Sequence, residues 1–210
     1  MENALNLLFF DWITDLQTLS NAEFERWRTN ADVLEKDGHG DKVLRFADGT
    51  FFKLFRRKSL FSKTLLFPPA KRFADNAEVL RKLGIACPDI IAVYRLINPP
   101  RNAVHYHPLQ GTTLRDLLNR DVSLGQIELF AKLATFITEL HDKGVYFRSL
   151  HLGNIVQTPS GQLGLIDISD LRCLGKPLPN SMRKRNYQHL LRYEQDWALV
   201  SPLVRSQFKP

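Results

Sequence analysis

The run Gly144-Val145-Tyr146-Phe147-Arg148-Ser149-Leu150-His151-Leu152-Gly153-Asn154-Ile155 places a hydroxyl, an imidazole and a carboxamide close together in the chain. Thirteen residues after Asn154 comes Asp167, within Leu165-Ile166-Asp167-Ile168-Ser169, and Asp170 follows. An amide oxygen and a carboxylate are hard ligands of the kind Mg2+ accepts. Ile155–Gln157, the turn Pro159-Ser160-Gly161 and Leu163–Ile168 read as a β-hairpin. Such a hairpin returns its two ends to one place and sets Asn154 beside Asp167. Lys53 lies far upstream in Phe51-Phe52-Lys53-Leu54-Phe55, an ammonium among aromatics on a β-prone run, and Glu78 follows it by 25 positions. Taken singly, a strand lysine faces solvent and a helix glutamate lies on the surface.

These residues need elements to hold them. Residues 1–30 read as a helical extension, with Ser20 and Glu23 in a capping-box pattern and Phe24 and Trp27 three apart on one face. Val33-Leu34, Val43–Phe46 and Phe51–Phe55, parted by the turns Asp37-Gly38-His39-Gly40 and Asp48-Gly49, predict a three-stranded antiparallel meander. A helix carrying Phe73, Ala77, Leu80 and Leu83 stops at Gly84. Ile90–Ile97 and Ala103–His107 are two further strands. Helices at Leu114–Asn119 and Ser123–His141 precede the hairpin, and the basic tail is helical around Tyr187–Tyr193. The order predicts an α+β chain in two lobes, with an antiparallel sheet and one helix over 31–107 and a helical lobe over 108–210.

The loop and its following aspartate resemble the catalytic loop and metal-binding aspartate of protein-kinase-like enzymes, whose patterns are H-R-D-L-x-x-x-N and D-F-G. The L-H-x-G-N form, with His151 and Gly153, looks more like small-molecule kinases. Nearest in pattern is the bacterial lipopolysaccharide core kinase group (Kdo and heptose kinases with toluene-tolerance-type relatives), which Arg185-Asn186-Tyr187 and Leu190-Leu191-Arg192-Tyr193 also resemble. The likeness covers about residues 32–170 and implies a two-lobed kinase-like fold with a shortened C-lobe, binding ATP and Mg2+. It implies that Asn154 and Asp167 hold the metal, that Lys53 meets the phosphates, and that Glu78 is its ion-pair partner. Gly38 and Gly40 fall where a glycine-rich turn covers the phosphates. His105-Tyr106-His107-Pro108 falls at the hinge, so backbone groups near Tyr106 and His107 would face the adenine edge.

Ser149 occupies the place of the family's catalytic aspartate and Phe147 that of the preceding histidine, and the resemblance also makes His151 a catalytic candidate. A serine hydroxyl is not basic near pH 7, and loss of a general base costs typically about 10²–10⁴-fold. Three accounts stand. One is a slow phosphotransferase, since positioning and electrostatics carry most of this chemistry; another is a pseudokinase that regulates or scaffolds a partner; the third is adenylyl transfer. Asp170, three positions past Asp167, is the alternative carboxylate for the acceptor, and it also suits a turn cap. Only 43 residues follow Asp167, with no A-P-E motif among them, which disfavours a peptide acceptor and favours a sugar or lipopolysaccharide inner core.

The 210 residues carry 29 Lys and Arg against 22 Asp and Glu, a net charge of +7 that suits an anionic partner. The clumps Arg56-Arg57-Lys58, Lys71-Arg72 and Arg183-Lys184-Arg185 read as solvated faces or as contacts to phosphates at the inner membrane face. A nucleic-acid-binding protein is the remote alternative, since the charge allows it and 14 Phe with 5 Tyr offer stacking platforms, but no helix-turn-helix, zinc or RNP signal is present and nucleic acid is not expected. Leu5–Phe10 lacks a preceding basic region, so a secretory leader is not expected. Two cysteines far apart suit a reducing cytoplasm better than a disulfide framework.

Overall fold

In the computed structural model, which describes residues 16–56, 68–120 and 126–208, the chain divides into two compact units. One comprises Met1–Asp75 with Asp89–Pro108, the other Asn76–Pro88 with Leu109–Pro210. The first holds a six-stranded sheet and the second most of the helices, the α+β arrangement expected from the sequence.

In the first unit, β1 (Leu16–Leu19) leads into α1 (Asn21–Thr29), then β2 (Ala31–Asp37), β3 (Gly40–Phe46) and β4 (Phe51–Arg56). Helix α2 (Pro69–Lys82) follows, then β5 (Asp89–Leu96) and β6 (Arg101–His107). The sheet order is β1-β5-β6-β4-β3-β2, antiparallel throughout except that β1 runs parallel to β5. Alternation sorts β4: Phe52 and Leu54 are buried with Leu19, Phe24, Leu44, Leu96 and Ala103 on the face that α1 covers. The predicted capping box is present, since Ser20 Oγ accepts the Glu23 N–H while the Glu23 carboxylate accepts the Ser20 N–H. The expected helical extension over 1–30 needs correction at Leu16–Leu19. That segment is a strand, because its peptide groups pair in register with Val93–Leu96 and Leu19 enters the sheet core. Helix starts only past the Ser20 cap. Residues 1–15, the predicted helix start at Ser123, and Arg57 and Lys58 lie outside the described residues.

The second unit begins with the C-terminal half of α2, which stops at Gly84 in a left-handed conformation, φ +71°. It continues with β7 (Thr112–Thr113), α3 (Leu114–Arg120), α4 (Gln126–Asp142) and β8 (Val145–Phe147). A 3₁₀ turn at Leu152–Asn154 opens the hairpin β9 (Ile155–Gln157) and β10 (Leu163–Leu165). A second 3₁₀ turn at Ile168–Asp170 leads to β11 (Leu171–Cys173), and α5 (Asn180–Leu191), α6 (Glu194–Ala198) and α7 (Pro202–Gln207) close the chain. Small sheets β10-β9-β7 and β11-β8 stabilise the loops. Asn186 on α5 is fully buried and knits three elements together: its Oδ1 meets His141 Nε2 of α4 at 3.1 Å, and its Nδ2 donates to the Phe147 carbonyl of β8 at 2.6 Å. No described helix is long and apolar enough to cross a membrane.

Candidate functional site

In the second unit, the β9–β10 register sets Leu165 opposite Ile155, so Asn154 precedes one strand and Asp167 follows the other at the same end of the hairpin. The Ile166 N–H donates to the Asn154 carbonyl at 3.0 Å and extends the ladder to the site. Asn154 is buried, and its Nδ2 donates to the Ser149 carbonyl at 2.9 Å, which leaves Oδ1 as the side-chain atom with lone pairs to offer a donor or a cation. Asp167 is the one non-glycine residue with positive φ among the described residues, at φ 52°, ψ 44°. Aspartate tolerates this left-handed well better than most residues, and outliers of this kind gather at functional sites. The 3₁₀ turn that follows is anchored by Asn76, whose Nδ2 donates to the carbonyls of Ile168 at 2.6 Å and Leu171 at 3.1 Å.

The loop between β8 and the hairpin is held from beneath. His151 Nδ1 accepts the Gly153 N–H at 3.1 Å and caps the 3₁₀ turn, while its ring packs 4.5 Å from that of Tyr193. Burial, then the neighbouring Arg115 guanidinium, lowers the His151 pKa below the ordinary imidazole value, against the pull of Asp196 and Asp167. His151 is therefore neutral at pH 7 and shapes the turn. Ser149 Oγ donates to Asp170 Oδ2 at 2.6 Å.

Two residues of this support, Arg115 and Asp196, had no role in the sequence reading. Asp196 on α6 has no exposed side-chain surface, and its oxygens meet Arg115 Nε at 2.5 Å and Nη2 at 3.1 Å. The same carboxylate accepts the Leu152 N–H at 3.2 Å. Gly153 is the glycine that this packing demands: a Cβ there would lie 2.7 Å from Arg115 Nη1. An acidic residue within a basic tail, and a glycine next to Asn154, were the signals available.

The first unit carries the other candidates except Glu78. Lys53 in β4 lies opposite Val43 and Val104, with its Nζ 5.8 Å from the Phe55 ring centroid. Alternation puts it on the face shared with Phe51 and Phe55, where Phe73 of α2 packs 6.3 Å from Phe55 and 5.2 Å from Tyr106. Tyr106 is buried between Phe51 and Phe73, and His107 is exposed at the strand end. Gly38 and His39 form a two-residue hairpin turn from Asp37 to Gly40; the His39 N–H donates to Asp37 Oδ1 at 2.8 Å, and Arg101 binds the carbonyls of His39 and Asp41. Glu78 belongs to the second unit and pairs on its own helix with Arg81 at 2.8 Å and Lys82 at 3.4 Å. Burial pulls its pKa up, but the hydrogen bonds from those two cations outweigh it and the net shift is downward.

No family model matches the sequence. No curated protein matches it either. Among solved structures, a complex of WbdD with the kinase inhibitor LY294002 superposes on 70% of this chain with a TM-score of 0.43 and 14% identity. The chain spans about a third of that protein's length, 32%.

Proposed function

We propose that this protein is a kinase-like phosphotransferase that binds ATP with Mg2+ and acts slowly on a sugar or lipopolysaccharide-type acceptor. The observation that carries the reading is the pairing of Asn154 and Asp167 at one end of the β9–β10 hairpin, one side chain buried and hydrogen-bonded, the other on a left-handed backbone. The donors fit the ion: one amide oxygen and one carboxylate suit a hard cation that keeps most of its shell as water and phosphate. Among the described residues there is no cluster of three His, Cys, Asp or Glu that would suggest an all-protein metal cage. When bound, Mg2+ supplies charge neutralisation for the transferred phosphoryl group. Asn154 and Asp167 would hold it, and His151, by capping the turn, keeps Asn154 in place. Roles for Lys53, Gly38, Gly40, Tyr106 and His107 of the first unit, and for Glu78 of the second, in holding the nucleotide accompany this reading as proposals.

The acceptor is proposed to be anionic because the net charge is +7 and Lys184 and Arg185 are exposed on α5. Lys71 and Arg183 are engaged within their own units, with Asp75 at 2.8 Å and Asp142 at 2.6 Å. An inner-face membrane contact and a cytoplasmic location accompany this reading as proposals.

A second reading, a pseudokinase with a regulatory role, rests on Ser149 in the place of the aspartate. The experiment is a thermal melt with and without Mg2+ and ATP. Nucleotide at a hundred times its Kd stabilises by about 2.7 kcal/mol, a rise of roughly 5–11 °C for a chain of this size. Lys53→Ala and Asp167→Ala should each abolish the rise. A parent protein that shows no rise with Mg2+-ATP removes the reading altogether.

A further inference from the structure

The loop carries a serine where a proton acceptor is needed, yet a carboxylate is already hydrogen-bonded to that serine. Ser149 Oγ donates to Asp170 Oδ2 at 2.6 Å, at the short end for an O–H···O hydrogen bond. The other oxygen, Asp170 Oδ1, is buried and has no hydrogen-bond partner among the described residues. Leaving such an atom unsatisfied costs on the order of 1–3 kcal/mol, and each case in a folded protein calls for a reason, a catalytic role among them.

The pair is fixed by the fold. The β11–β8 register puts Leu171 opposite Phe147, so Asp170 and Ser149 leave the same end of that two-stranded ladder. Asn76 holds the carbonyls of Ile168 and Leu171, on either side of Asp170 in the chain, and Asn154 holds the carbonyl of Ser149. Neither backbone is free to drift, and the hydroxyl and carboxylate stay within reach.

We propose that Ser149 and Asp170 form a proton relay in place of the absent loop carboxylate, an inference that rests on the phosphotransferase reading above. The acceptor hydroxyl passes its proton to Ser149 Oγ while Ser149 passes its own to Asp170 Oδ2. The acceptor oxygen bonds to the γ-phosphorus of the nucleoside triphosphate. The bond from that phosphorus to the β–γ bridging oxygen breaks, and the nucleoside diphosphate leaves with its electron pair. One proton leaves the acceptor and one arrives on Asp170, so the count closes. Ser149 is the catalytic residue because it touches the acceptor; Asp170 acts through it as a positioning residue and proton store.

The test uses the full chain with Mg2+-ATP and water as the acceptor, read as phosphate release, alongside nucleotide binding by thermal shift. Ser149→Ala and Asp170→Asn should each lower kcat about a hundredfold, the low end of what a general base supplies, with the nucleotide thermal shift unchanged. The double variant should be no slower than either single one, because the two act as a unit. Ser149→Thr, which keeps the hydroxyl, should retain turnover, and Ser149→Asp in the Asp170→Asn background should restore it. Without nucleotide, a slowly exchanging Ser149 hydroxyl proton should be seen by NMR and vanish in Asp170→Asn. If Asp170→Asn binds nucleotide and turns it over at the parent rate, or the parent binds nucleotide without turnover, the relay is wrong and the nucleotide-binding reading survives. A parent that neither binds nor hydrolyses ATP overturns both.

Discussion

Replacing Arg115 with alanine tests how the candidate loop is supported. The carboxylate of Asp196 is wholly buried, while the side chain of Arg115 is 32% exposed. Water can thus reach the arginine's site but not the aspartate. Truncating Arg115 removes both guanidinium contacts and leaves the buried charge with the Leu152 N–H alone. Stranding a buried charge in this way costs about 3–5 kcal/mol, a large part of the roughly 5–15 kcal/mol that separates folded from unfolded protein. At about 2–4 °C per kcal/mol for a chain of this length, Tm should fall by about 6–20 °C. Calorimetric melts of the parent, Arg115→Ala and the double variant Arg115→Met/Asp196→Leu make the assay. The double variant removes the charge as well as its partner and should recover most of the loss, short by about 1–3 kcal/mol for the Leu152 N–H it leaves unsatisfied. A single variant that melts within about 2 °C of the parent would refute the claim that this pair holds the loop.

Gly153→Ala should destabilise in the same direction by about 1–3 kcal/mol, because its Cβ meets Arg115 Nη1 at 2.7 Å and the guanidinium must shift off Asp196; a neutral melt counts against it. Cys173, whose thiol burial pushes up to about 11, should react with a thiol reagent at pH 8 about a hundredfold more slowly in the folded Cys87→Ser variant than in the same variant unfolded in denaturant; equal rates would contradict this. His105, His141, His151 and His189 all have pKa values lowered, chiefly by burial. The unfolded chain therefore binds more protons, and stability present above pH about 6.5 should fall as pH drops through the lowered native values. Calorimetry at pH 6 in buffers of different ionisation enthalpy should show net proton uptake on unfolding, and net release would reverse the sign of the argument.

What the sequence made legible is what local chemistry decides. The Ser20–Glu23 capping box, the turn at Asp48-Gly49 and the stop at Gly84 needed only near neighbours, and the corresponding elements stand within a few residues of expectation. Leu16–Leu19 was misread because parallel pairing with Val93–Leu96 is a contact across more than seventy residues, which no local pattern carries. The two-residue strand β7 and the short β8 and β11 were missed for the same reason: each exists only through its partner. The placement of Asn154 and Asp167 at one end of a hairpin was legible because the hairpin links them. Arg115 and Asp196 were not, since 81 residues separate them and nothing local says that a tail helix sends a carboxylate beneath the loop.

The partition of the chain has a consequence for anyone who would cut it. Residues Asn76–Pro88 belong with the hairpin unit although strands of the other unit follow them in the chain. They supply the Ala86 carbonyl that accepts the Leu165 N–H at 2.9 Å, the Leu83 carbonyl for Lys143 at 2.6 Å, and Asn76 beneath the turn after Asp167. A fragment begun at Leu109 would thus arrive without one wall of its own scaffold. Supplying 76–88 as a separate peptide, or grafting it ahead of Leu109 through a new linker, is the shortest route to an isolated unit that keeps its architecture.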